Sequence, residues 1–338
     1  GLVVPDPASR ANPDGVHEPS MVVDPGAYRW QDRAWRGRPW EEAVIYELHV
    51  GTFTPAGTYA AAAERLPELA GLGVTAIELM PLAAFPGRRN WGYDGVLPFA
   101  PTAVYGTPED LKRLVDAAHR VGLMAFLDVV FNHFGPDGNY LHAYAPQFFN
   151  PRHQTPWGAG INFDGDGREN VRAFFVHCAL YWLEEYHFDG LRLDAIHAIF
   201  DDAPVPIAAE IARRVRERFD GEREVHVVLE NDRNDASLLR RDATGRLPLA
   251  TAQWNDDLHH ALHVLATGET QSVRTLVELT FGHPEIGARV RWEVMPMALR
   301  GLRTSCATVE ASSPIAARRS RRRSAASARA CFSVSTPY

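Results

Sequence analysis

The 338-residue sequence predicts an α/β fold, a (β/α)8 TIM barrel in which about six βα units are legible. Three observations carry that expectation. Short apolar runs alternate with helical stretches, the signature of a parallel sheet with crossover helices. Charged and polar residues gather at the C-terminal ends of those runs, where a barrel keeps its functional groups. The pattern then gives out near residue 271, short of the eight units that closure needs.

Residues 1–40 are rich in Pro, Gly and Asp and read as extended linker or as the last strands of a preceding domain. The regular region, 41–270, opens with the apolar run Val44–Val50 and a helical stretch from Thr58 to Leu72. Val74–Met80 is the second strand, and Pro108–Val121 a helix with Pro in its first turn. Leu123–Val130 is the third strand, followed by a helix over Glu169–Tyr186. Gly190–Asp194 and its helix Val205–Arg218 come next, then Val225–Leu229. A sixth strand is expected at Leu249–Trp254, with a helix over Asp257–Ala266.

Buried parallel strands are normally apolar throughout. Here the strand ends carry Glu47 and His49, Glu78, Asp128 with Asn132 and His133, Arg192 with Asp194, and Glu230 with Asn231. Any one of these reads equally well as a helix cap after a strand; five together read as a site. Retaining glycoside hydrolysis needs a nucleophilic carboxylate and a carboxylic acid about 5–5.5 Å apart. Asp194 and Glu230 end adjacent strands, so they are the candidate catalytic pair. Partial burial next to another carboxylate would raise the pKa of Glu230, as a general acid requires. Arg192, two residues before Asp194, lies on the same face and can hold the nucleophile ionised. His133 and His197 can donate to sugar hydroxyls, and Trp91 and Tyr93 offer ring faces for stacking.

Asp128–His133, Gly190–His197 and Leu229–Asp232 resemble the first three signature regions of the α-amylase superfamily, glycoside hydrolase family 13. The resemblance makes Asp194 the nucleophile, Glu230 the general acid/base and Arg192 the residue that positions the nucleophile. Asp128 and His133 would shape the subsite of the non-leaving sugar, with Tyr93 stacked beneath it. Within the superfamily, Tyr46–Thr54, Ile77–Leu82, Phe85–Gly95, Asn132–Tyr140, Trp157–Asp164 and Gln253–His260 are most similar to maltooligosyltrehalose trehalohydrolases. These segments add Asp94, Trp254, Asp256 and His259 to the substrate-contacting set, and the third signature region adds Asn231. The implied reaction is cleavage of the α-1,4 bond next to the terminal trehalose of a maltooligosyltrehalose. Glycogen-branching and debranching enzymes share the three regions and stand as the alternative, as does a non-catalytic glucan-binding relic.

Two departures from the family pattern matter. An N-terminal β-sandwich is typical of the family, and only its exit strand fits in residues 1–40. The fourth signature region, an Asn-His-Asp segment supplying a third carboxylate, has no counterpart: Phe281–Gly287 has the wrong order and lies too early. Loss of that group removes several kcal/mol of transition-state stabilisation, and an open barrel leaves sheet edges unpaired. The chain as written is therefore expected to be nearly inactive and poorly soluble.

Residues 271–338 are unassigned. From Met295 onward the only acidic residue is Glu310, and Ala316–Ala330 is low in complexity. A basic tail for polyanions and out-of-frame translation of a GC-rich gene both fit. Loss of pattern in mid-architecture favours the second, which the coding DNA around codon 271 tests.

The remaining signals are mostly exclusions. A net charge of -7 argues against nucleic-acid binding, and no apolar run approaches 18 residues, so no membrane span is expected. Cys178, Cys306 and Cys331 form no CxxC pair, which points to a reducing, cytoplasmic setting. Asp164–Gly167 lacks the later ligands of a calcium loop and reads as a turn. No metal or cofactor is expected, and the expected partner is an α-glucan oligosaccharide. Neither a GxGxxG, a P-loop nor a Ser/His/Asp triad is present.

Overall fold

The computed structural model describes residues 3–233, 235–243 and 248–255, and beyond them the backbone of three short strands. The chain divides into two units, residues 1–255 and 256–338.

The first unit follows the expected alternation. Strand β1 (Ile45–Leu48) is followed by the single turn α1 (Val50–Phe53) and by α2 (Tyr59–Gly71). Next come β2 (Ala76–Leu79), a small hairpin of β3 (Ala83–Ala84) and β4 (Leu97–Pro101), and α3 (Pro108–Arg120). Strand β5 (Met124–Val129) leads through the short α4 (Leu141–Tyr144) to a second hairpin, β6 (Phe149–Thr155) and β7 (Gly158–Ile161). Helix α5 (Arg168–Glu185), β8 (Gly190–Leu193), α6 (Ile207–Phe219), β9 (His226–Asn231) and β10 (Ala252–Asn255) complete it. The principal sheet has the order β1-β2-β5-β8-β9-β10, with every pair parallel. Six parallel strands in sequence order, joined by helices, make a half-open (β/α)8 wall.

Local chemistry explains the boundaries. Thr58 caps α2 by accepting from Ala61 N at 3.2 Å. Thr107 and Asp110 form a reciprocal capping box at the start of α3, with Pro108 in its first turn. Pro206 occupies the cap of α6, so that helix begins two residues later than the sequence suggests. The first apolar run likewise ends as strand at Leu48, because the chain turns into α1 after His49. The two hairpins lie in segments dense in Gly and Pro, which hid their strand character.

Side chains alternate cleanly across this sheet. Ile77, Leu79, Ala125, Leu127, Leu191, Leu193, Val227 and Leu229 pack beneath the helices. The opposite face holds Ile45, Ala76, Met124, Phe126, Val228, Ala252 and Trp254. By the period of two, Glu47, Glu78, Asp128, Arg192, Asp194 and Glu230 also take that inner face. The polar set is thus stacked on an apolar floor, toward the C-terminal ends of the strands.

Residues 3–44 contain no strand, so the expected exit strand of an N-terminal β-domain is coil here. A lone strand has no ladder partner for its backbone groups. The segment instead straps the N-terminal end of the sheet. Asp32 Oδ2 lies 2.9 Å from His119 Nδ1 and 2.8 Å from His187 Nδ1. Trp35 Nε1 donates to Asp189 Oδ1 at 2.7 Å, and His119 Nε2 reaches Asp189 Oδ2 at 3.0 Å. Trp35 stacks on His119 and Trp30 on His187.

Burial alone would raise the Asp32 carboxyl, but the two histidines outweigh it and hold it well below the usual carboxylate range. A depressed folded pKa contributes stability above the unfolded value, lost as pH falls through the folded one. Asp32→Asn is therefore expected to cost about 3 kcal/mol at neutral pH. The deficit should shrink toward acid, where the native carboxylate is itself being protonated. Urea unfolding at two pH values reads this out, and a pH-independent deficit would contradict it.

The second unit is described only as an antiparallel sheet of β11 (Ala288–Glu293), β12 (Cys306–Ala311) and β13 (Ala328–Ala330). The rest of 271–338, including the arginine run Arg318–Arg323, lies outside the described residues. So does the helix expected over Asp257–Ala266.

Candidate active site

Arg192 is the hub. It rises from β8 with its side chain only 11% exposed, and three carboxylates converge on it. Its Nη1 donates to Asp128 Oδ2 at 2.5 Å and to Asp194 Oδ1 at 3.2 Å, while Nη2 lies 2.9 Å from Glu230 Oε2. These partners sit on β5, just past β8, and on β9. Strand register brings them together: Asp128 is level with Arg192, and Leu193 with Leu229. Burial opposes the charge on Arg192, yet Asp128 and Glu230 outweigh it and keep the guanidinium firmly protonated.

The carboxylates are held from their other sides as well. Asn132 Nδ2 donates to Asp194 Oδ2 at 2.9 Å and to the Asp194 carbonyl at 3.0 Å. Ala195, the next residue, has a left-handed backbone at φ +41°, uncommon for a side chain with a Cβ. That turn aims its N–H at Glu230 Oε2, 2.8 Å away. Asp128 accepts from Tyr93 OH at 3.1 Å. Burial nevertheless pushes Asp128 up to about 7 against the pull of Arg192. Burial and the Asp128 charge raise the Tyr93 phenol, so it stays a donor.

The Tyr93 loop reaches the strand ends because of close backbone approaches. Gly92, at φ +103°, would place a Cβ 2.2 Å from the Pro81 carbonyl, and Gly135 one 2.1 Å from the Asp94 carbonyl. Only glycine fits at either position. His133 Nε2 then donates to the Tyr93 carbonyl at 2.9 Å, and its ring stacks on Trp157 at 4.5 Å. Desolvation lowers the His133 pKa, against the hydrogen bond to the Tyr93 carbonyl.

The structure thus gathers Asp194, Glu230, Arg192, Asp128, Tyr93 and His133. Trp91 is 61% exposed, with an edge contact to His49, beside a groove of about 710 Å³ that also exposes Arg88 and Arg89. Asp94 is engaged by Asn90 Nδ2 at 2.6 Å and braces its own loop. His197 faces Asp232, whose N–H it accepts at 3.4 Å, rather than the carboxylate pair. Asn231 is buried against Gln253 Oε1 at 3.3 Å. Trp254 pairs with Glu230 in the ladder, its indole nitrogen buried and without a partner among the described residues. Asp256 and His259 lie outside the described residues.

Three participants were not among the expected catalytic or substrate-contacting residues. Asn132 was noted at a strand end beside His133, but an Asn there is as ordinary in a turn as in a site. Trp157 caps the β6–β7 hairpin, a long-range contact invisible to periodicity. Glu78 was noted only as a polar strand end, although a charge inside Ala-Ile-Glu-Leu was already anomalous. Among the described residues, His153, Asp164 and Asp202 offer ligand atoms within 4.8 Å of one another. The Asp164 carboxylate there already takes His153 Nε2 at 2.8 Å and Asn150 Nδ2 at 2.6 Å.

The catalytic-domain model of the alpha-amylase family matches residues 4–154. The half-open parallel sheet is similar in fold to part of an α-amylase-type catalytic barrel. The chain is 49% identical over 272 residues to the malto-oligosyltrehalose trehalohydrolase of Deinococcus radiodurans, covering 80% of this chain and 43% of that protein. Against the enzyme of the same name from Saccharolobus solfataricus it is 45% identical over 268 residues, covering 79% of this chain and 46% of the relative. A Salmonella typhimurium crystal structure assigned as an alpha amylase superposes with a TM-score of 0.76 at 53% identity, covering 84% of this chain and 47% of that one. The chain therefore spans under half the length of the relatives it matches. No described helix is long and apolar enough to cross a membrane.

Proposed function

We propose that this α-amylase-type half-barrel belongs to a retaining glycoside hydrolase that cleaves the α-1,4 bond beside the terminal trehalose of a maltooligosyltrehalose. One observation carries the chemistry: carboxylates from two neighbouring strands, Asp194 and Glu230, converge on different nitrogens of Arg192. Asp194, held by Arg192 and Asn132, attacks the anomeric carbon as Glu230 protonates the departing oxygen. Glu230 then takes a proton from water as the glycosyl–Asp194 ester is hydrolysed. Asp128, Tyr93 and His133 line the place of the sugar that becomes attached. The choice of trehalose as leaving group rests on the similarity to the trehalohydrolases of Deinococcus and Saccharolobus.

The chain as written is proposed to bind glucan but turn it over poorly, because its sequence holds no counterpart of the family's third carboxylate. The test uses maltotriosyltrehalose. The purified chain should bind maltooligosaccharides calorimetrically and release no more than traces of trehalose. Residues 1–255 fused to the second half of the Deinococcus relative should release it readily. Vigorous trehalose release by the unfused chain would refute the impairment. A folded fusion that yields only maltose or glucose would refute the substrate assignment.

A further inference from the structure

Beneath the Arg192 hub lies a group that the catalytic reading does not use. Glu78, from the middle of β2, has no solvent exposure, and neither of its oxygens has a hydrogen-bond partner among the described residues. Its one cationic neighbour is distant: Arg192 Nε stands 4.0 Å from Glu78 Oε1. On the adjacent strand, Asp128 has one oxygen committed to Arg192 and Tyr93, while its other, Oδ1, is buried and has no hydrogen-bond partner among the described residues. The register pairs Glu78 with Phe126, two residues before Asp128 on the adjacent strand. The two side chains therefore share the inner face, one step apart on a diagonal, within reach of a long side chain.

Two neighbouring buried carboxyls with three oxygens lacking partners are costly unless a proton lies between them. We propose that Glu78 is a positioning residue that remains a neutral carboxylic acid at physiological pH and presents its O–H to the free oxygen of Asp128. The charge balance agrees. Glu47, Asp128, Arg192 and Glu230 are the ionisable groups facing Glu78 from β1, β5, β8 and β9. A single guanidinium already serves Asp128, Asp194 and Glu230, so a further buried anion would stand uncompensated. Burial first, then the Asp128 charge, drives the Glu78 pKa well above its ordinary value, with Arg192 opposing. Glu78 and Asp128 then titrate as one acid–carboxylate pair sharing one proton. The consequence for function is indirect: a neutral Glu78 leaves the Arg192 fork to the three carboxylates nearer the substrate. That consequence rests on the glycosidase reading; the protonation state does not.

Infrared difference spectroscopy of the full chain reads the proton itself, without any turnover. A carbonyl stretch of a protonated carboxyl is expected at pH 8, above the value of about 7 to which Asp128 is pushed, so that Asp128 is mostly ionised there. It should disappear in Glu78→Gln and survive in Asp128→Asn. Glu78→Gln keeps a donor toward Asp128 and should fold, whereas Glu78→Leu should lose thermal stability. If the Gln variant does not fold, labelling glutamate carboxyls with ¹³C shifts the band in the unmutated chain and assigns it to a Glu. No protonated band at pH 8, or a band at that pH that stays in Glu78→Gln and vanishes in Asp128→Asn, overturns the proposal.

Discussion

Arg192→Met is expected to destabilise the first unit by about 3–5 kcal/mol near pH 8, the largest stability loss of any single substitution in the site. Removing one partner of a buried ionic network leaves the others uncompensated, and that cost exceeds what the network contributes when whole. Here three carboxylates lose their shared cation together. The effect has a definite sign with pH. Asp128 is raised in the folded state to about 7, so its contribution is present at low pH and lost as pH rises from about 4 through 7. Without Arg192 that folded value climbs further, and the carboxyl must either ionise at greater cost or stay protonated. The deficit of Arg192→Met should therefore shrink from pH 8 to pH 5, where a neutral acid needs no cation. Arg192→Lys should fall between, since an ammonium is a point charge that cannot fork to Asp128 and Glu230 together. Urea midpoints at the two pH values decide the matter. A deficit that stays the same at both pH values would mean that packing of the guanidinium, not its charge, supports the site.

Much of this was legible in the residues because barrels write function in a regular place. A charge at the C-terminal end of an apolar run is anomalous in a buried parallel strand, and Asp128, Arg192, Asp194 and Glu230 stood out as members of one such set rather than singly. Their convergence followed from adjacency of the strands, which needed only the alternation of strand and helix. What stayed hidden depends on contacts between distant loops. Trp157 meets His133 only because the β6–β7 hairpin folds back over the strand ends. Asn132 grips both the side chain and the carbonyl of Asp194 across 62 residues of sequence. Asp94 and His197 point the same lesson from the other side. Both stand in segments that resemble the family, yet their side chains are engaged locally, by Asn90 and by Asp232. A matching motif places a residue near a site; its hydrogen bonds determine whether it faces the substrate.

The largest effect on activity is expected at Asp194 and Glu230, measured in the fusion of residues 1–255 with the second half of the Deinococcus relative. Asp194→Asn should lower kcat for maltotriosyltrehalose by roughly four orders of magnitude or more, as when a covalent nucleophile is removed. Glu230→Gln should cost a similar factor, because an unprotonated sugar oxygen is a poor leaving group. The two can be told apart by a substrate that departs without a proton. With an α-glucosyl fluoride, Glu230→Gln should regain the first half of the reaction and accumulate the ester on Asp194, since no base remains to activate water. Asp194→Asn should show no such rescue, because the bond-forming carboxylate is missing whatever leaves. Azide, a nucleophile that needs no general base, should then release the stalled ester of Glu230→Gln as a glycosyl azide. Fluoride rescue in Asp194→Asn with none in Glu230→Gln would exchange the two roles. Rescue in neither would place the nucleophile outside the pair, despite the common grip of Arg192.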